Sequence, residues 1–127
     1  MPAPELDPAA VPDADPDRPH GYADLRSYAP IGDTRTVALV ALDGRIDWWP
    51  IPDLDSRPTF AAILDAGNGG RLELAPAEPA RTLRRYLPDT NVLETTYVTA
   101  TGTVRVVDAL NLGGAGTDSV TIDTDNP

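Results

Sequence analysis

The chain has no cysteine and no lysine, and among its 127 residues only one histidine and one phenylalanine. Without cysteine there are no disulfides and no thiolate metal sites, and cysteine usage says nothing about redox compartment. With His20 alone, a Ser-His-Asp arrangement or a histidine-rich metal site has no ordinary footing. The absence of lysine reads as compositional bias, since ten arginines carry all the positive side-chain charge. Long apolar runs are missing too, and no stretch approaches the roughly 20 residues that cross a bilayer. Residues 1–20 show no basic segment followed by an apolar run, so a secretory signal is not expected and cytoplasmic residence is the default.

Acid is abundant. Twenty Asp and Glu give a net charge of −10, which argues against nucleic acid, because phosphate binding needs local positive charge to release counterions. Arg81, Arg84 and Arg85 are the one basic cluster. They read as outward residues of a strand or as a contact for an acidic partner.

The length suits one domain with an adequate core. Residues 1–20 are rich in Pro, Ala and Asp, with too little apolar surface to offset ordering, and are expected to be disordered. A β-sandwich domain is expected over 21–112, with Leu25 and Tyr28 as first anchors, and a Gly-rich flexible tail or linker over 113–127. Val120 and Ile122 are the one place in that tail where an edge strand would fit.

Strand patterning begins at Thr34, and Asp43-Gly44 is a hairpin signal of the type I′ kind. A two-residue loop pairs Leu39 with Trp48 and Val40 with Asp47. Alternation then puts Val37, Leu39, Ala41, Ile46 and Trp48 on a core face. Ala38, Val40, Leu42, Arg45, Asp47 and Trp49 form a mixed face suited to cover by another layer. Pro50, Pro52 and Pro58 stop the ladder. Ser56 as N-cap, with Phe60, Ile63 and Leu64 at helical spacing, predicts a short helix ended by Gly67, Gly69 and Gly70. Arg71–Ala75 and Thr82–Leu87 read as strands. A second hairpin about Thr101-Gly102 places Leu93, Tyr97, Val104, Val106 and Leu110 on one face. The fold class expected is all-β, an antiparallel β-sandwich with one short helix.

Several spaced segments, in order, carry a resemblance. They are Ile31-Gly32-Asp33 with Thr36–Val40; Asp43-Gly44 with Ile46-Asp47-Trp48; Pro52 with Asp55-Ser56 and Phe60; and Arg85–Thr90 with Leu93-Glu94-Thr95. Together they resemble the N-terminal, trehalase-like domain of glycoside hydrolase family 15, which includes bacterial glucoamylases. The resemblance covers Tyr28 to Ala109. The family usually has Leu then Cys where this chain has Trp49 and Pro50. It implies a supersandwich-type domain, which truncation would shorten, joined to an (α/α)6 barrel. That barrel hydrolyses α-glucosidic bonds with inversion, using two glutamates as acid and base. Glu5, Glu73, Glu78 and Glu94 match neither glutamate, so no catalytic residue is assigned, and no cofactor or metal is expected.

The implied role is that of a non-catalytic domain packed on and stabilising the barrel, in cis or in trans. Asp47, Trp49, Asp53, Asp55 and Phe60 are candidates for a substrate rim or domain interface. Asp47, Asp53 and Asp55 could suggest a metal loop, but Arg57 stands where a calcium loop wants an oxygen ligand. Turn and capping roles suit these carboxylates better. Two alternatives stay open: a stand-alone interaction module that self-associates through sheet edges, and a carbohydrate-binding module that stacks an α-glucoside on Trp49.

Overall fold

A computed structural model describes residues 18–112 and, by backbone alone, 118–125. Among the described residues, eight strands form two antiparallel four-stranded sheets. The first is β1 (Ala29–Gly32), β2 (Val37–Val40), β3 (Ile46–Pro50) and β4 (Pro58–Phe60), in that order. The second is β5 (Arg81–Tyr86), β6 (Leu93–Val98), β7 (Thr103–Leu110) and β8 (Asp118–Asp125). This is the all-β architecture the patterning implied. The core joins Ala29, Ile31, Ala38, Val40, Ile46 and Trp49 of the first sheet to Leu93 and Leu110 of the second.

The second sheet follows the sequence reading closely. Leu93, Tyr97, Val106 and Leu110 are buried on the expected face, and Val104 is half-buried. Thr95 and Asp108 share that face, buried as well. The segment expected as a tail contains β8, which pairs with β7 along its whole length. The rest of that expected tail and the expected disorder of residues 1–17 lie outside the described residues. Residues 18–20, also expected to be disordered, hold a buried Arg18.

The first hairpin departs from expectation. Gly44 N–H donates to Ala41 C=O at 2.9 Å, and Gly44 alone adopts the left-handed region, at φ 88°. A type I′ turn would need that conformation at Asp43 too. The turn is therefore longer than a two-residue loop. Leu39 still pairs with Trp48, but Val40 pairs with Ile46, and Asp47 is the extra residue of a bulge. The bulge offsets the longer turn, so Leu39 and Trp48 share a face as expected, but that face is not the one turned to the core. Ala38, Val40 and Trp49 are core, while Val37, Leu39 and Trp48 are half-buried, inverting the expected assignment. Of the expected core face only Ala41 and Ile46 are buried.

The short helix does not form. Phe60 belongs to β4 and pairs with Trp49 instead. Beyond it, a single turn closes where Leu64 and Asp65 N–H donate to Ala61 C=O. Three apolar residues at helical spacing are too short a run to meet the cost of nucleation. Gly69 is obligatory in this loop, because a Cβ there would sit 2.2 Å from the Ala61 oxygen. Arg71–Ala75 also falls short of a strand and contributes one bridge, Leu72 to Ile46.

The two sheets are tied by side chains reaching the edge strand β1 and its neighbours. Arg84 donates to Val40 C=O at 3.1 Å and to Ser27 C=O at 2.6 Å. Tyr86 O–H donates to Pro30 C=O at 2.7 Å, and Asn91 Nδ2 to Gly32 C=O at 2.6 Å. These bonds satisfy edge carbonyls that would otherwise invite pairing with another chain. Of the basic cluster, Arg84 is thus a tie between sheets, and Arg85 pairs with Glu94 at 3.0 Å.

Candidate functional site

Among the described residues, the most concentrated polar chemistry sits inside the first hairpin. Asp47, displaced into the bulge, is completely buried. Its Oδ2 accepts from Arg18 Nη1 at 2.8 Å and from Tyr28 O–H at 2.6 Å. Arg18, itself 3% exposed, also forks onto Asp43, with Nε to Oδ2 at 2.5 Å and Nη2 to Oδ1 at 3.0 Å. The chain of charges runs outward from Asp43 to Arg45 at 3.3 Å, and from Arg45 to Glu73 at 3.0 Å.

Burial pushes the Asp43 carboxyl up, but hydrogen bonds and charge from Arg18 and Arg45 outweigh it and hold the group below the usual carboxylate range. Burial raises Tyr28, and its hydrogen bond to Asp47 raises it further. Such an arrangement keeps a buried anion compensated.

The other sequence candidates lie elsewhere. Trp49 is 5% exposed, with its ring 6.4 Å from that of half-buried Phe60, so neither face is open for a sugar to stack. Asp53 is paired with Arg35 at 3.0 Å, and its N–H is capped by Ser56 Oγ at 3.0 Å. Asp55 is exposed. Leu54, between the two aspartates, is 63% exposed, and its N–H donates to Arg35 C=O. Among the described residues no group of three His, Cys, Asp or Glu could hold a metal ion. Nor is any described helix long and apolar enough to cross a membrane.

The trehalase-like, N-terminal family matches residues 23–122. The chain belongs to that family. Among curated proteins, the trehalase of Mycolicibacterium smegmatis is 39% identical over 95 residues, covering 72% of this chain and 14% of the relative. The trehalase of Mycobacterium tuberculosis is 37% identical over 93 residues, covering 72% and 14%. That of Thermoplasma volcanium is 36% identical over 80 residues, covering 61% and 13%. The trehalase-like chain therefore spans about one seventh of the length of these relatives. No solved structure matches it.

Sequence reasoning placed Asp47 among the candidates but missed Arg18 and Asp43 as its companions. Asp43 looked like a turn residue, which it also is: its Oδ1 accepts from Arg45 N–H at 3.1 Å. Arg18 lies in a Pro/Asp-rich stretch where nothing local signals burial. Only the contact across 29 residues, to Asp47, reveals it.

Proposed function

We propose that this chain acts as the non-catalytic N-terminal domain of a trehalase. In this reading it packs on and stabilises an (α/α)6 catalytic barrel supplied by residues outside the 127. The observation that carries it is the family match over 23–122, together with relatives named trehalase that are about seven times as long as the matched segment. Those names favour trehalose over malto-oligosaccharides as the parent substrate.

The charged groups agree with a supporting role. Inverting hydrolysis needs a carboxylic acid and a carboxylate set apart with room for a water. Here Asp47 is held by Arg18 and Tyr28, Asp53 by Arg35 and Glu94 by Arg85. The loop carrying Asp53, Leu54 and Asp55 is the part of the candidate set that offers exposed surface to the barrel or to the rim of its cleft.

The intact mass of the natural protein, followed by glucose release from trehalose, tests this reading. The expected result is a mass several times 13.5 kDa, hydrolysis by that longer protein, and none by the 127 residues alone. Hydrolysis by the 127 residues alone, or a natural mass near 13.5 kDa, would overturn it.

A further inference from the structure

We propose that Asp43, Asp47 and Tyr28 build a guanidinium-selective socket in the first hairpin, and that Arg18 fills it to strap residues 18–22 across the domain. This inference does not depend on the function proposed above.

The geometry is that of a fork, not of a point charge. Three N–H groups of one planar guanidinium meet three oxygens of two carboxylates: Nε and Nη2 on Asp43, Nη1 on Asp47. An ammonium on a lysine stem cannot reach these divergent acceptors at once. Tyr28 supplies a fourth donor to the same cluster. The second oxygen of Asp47 is buried with no hydrogen-bond partner among the described residues, so compensation of this anion rests on Arg18 and Tyr28. Removing one member of a buried pair is far more damaging than never having had the pair.

The contact also has a consequence along the chain. Arg18 lies five residues before the start of the family-matched range, residues 23–122. From the socket, Gly21 N–H donates to Arg18 C=O and Tyr22 N–H to Pro19 C=O, a tight 3₁₀ turn. The Tyr22 hydroxyl then accepts from Ala66 N–H at 3.2 Å. Five residues thus link the first hairpin to the Ala61–Gly70 loop. Asp43, which is part-buried, also lines an open groove of about 380 Å³ with Asp24, Arg26, Ser27, Leu42 and Thr82.

The test is chemical rescue read by thermal unfolding. Arg18→Ala and Arg18→Lys are compared with the wild-type chain, each with and without millimolar methylguanidinium or methylammonium. Both variants are expected to lose about 10 °C or more in Tm, since buried Asp47 is left without its guanidinium partner. Methylguanidinium should restore part of the Arg18→Ala loss in a saturable way, as mass action requires of a ligand that binds only the folded state. Methylammonium should not, and neither ion should move the wild type. Equal rescue by both ions, or none by either, would overturn the proposal. Should Arg18→Ala not fold at all, Arg18→Lys carries the test, and a Tm within about 2 °C of wild type defeats the idea. Faster hydrogen exchange at Ala66 in Arg18→Lys, with Gly69 N–H unchanged, would show that the strap itself has been released.

Discussion

The two sheets of this domain reach stability by different routes. In the second sheet, β5 and β6 pair at six consecutive positions, β6 and β7 at six, and β7 and β8 at eight, with no shift of register. In the first, β2–β3 and β3–β4 each hold two pairs and a shift. A regular ladder spreads its stabilisation over many similar pairs. An irregular one concentrates it in particular residues: Trp49 in the core, Arg18 with Asp47 in the bulge, Gly44 in the turn. Single substitutions should therefore wound the first sheet more deeply than the second.

The sharpest contrast is expected between two large apolar residues. Trp49→Ala should cost about 3–5 kcal/mol through lost burial and a cavity. Leu83→Ala, on the half-exposed outer side of β5, should change stability by about 0.5 kcal/mol or less. Denaturant midpoints of the two variants check this, and comparable losses would dissolve the distinction.

Next comes the turn that brings the sheets together. A Cβ at Gly44 would sit 2.4 Å from the Tyr97 hydroxyl of β6 and 2.8 Å from Leu74 C=O, at a φ that side chains rarely adopt. Gly44→Ala should cost about 2–3 kcal/mol, from backbone strain and overpacking together. Calorimetry is the measurement, and an unchanged Tm would mean the turn is free to move away.

Two tyrosines then separate the regions again. Tyr28→Phe removes a donor from buried Asp47 and should cost about 1–3 kcal/mol. Tyr97→Phe, in the second sheet, deletes a buried hydroxyl with no hydrogen-bond partner among the described residues, and should be neutral or stabilising by up to about 1 kcal/mol. Urea titration of the pair would blur the comparison if both lost stability equally.

The smallest effect is expected in the response to acid. Backbone N–H groups of Thr36 and Arg35 hold the Asp33 carboxyl below its ordinary range, and Asp43 is held below it against burial by Arg18 and Arg45. A lowered folded-state pKa gives stability that is present above the unfolded value and fades as pH falls through the folded one. Both residues lie in turns of the first sheet. Stability measured from neutral pH down to about pH 3 should therefore decline less steeply in Asp33→Asn and Asp43→Asn than in the wild-type chain. Parallel curves would remove these carboxylates as the cause.

Legibility followed the same division. The face carrying Leu93, Tyr97, Val106 and Leu110 could be read because polar and apolar residues alternate along β6 and β7. Along Val37–Leu42 every residue is apolar, so periodicity alone cannot choose a face. The choice is made by which face packs on the second sheet, and there Trp49, not Trp48, is the buried ring. The expected helix failed for a related reason, since the spacing of Phe60, Ile63 and Leu64 says nothing about Trp49 waiting on the neighbouring strand. In the candidate site, Asp47 was visible as an acid beside tryptophans, whereas its role in an ion network was not.

Composition, alternation and turn residues by themselves determined the all-β class, the second hairpin and the family, because these depend on local propensity and on the order of short motifs. The inward face of β2, the burial of Trp49 and the seating of Arg18 were decided only by the tertiary structure. Each turns on contacts between distant residues, where burying a charge or a ring is favourable only once its partner is already in place.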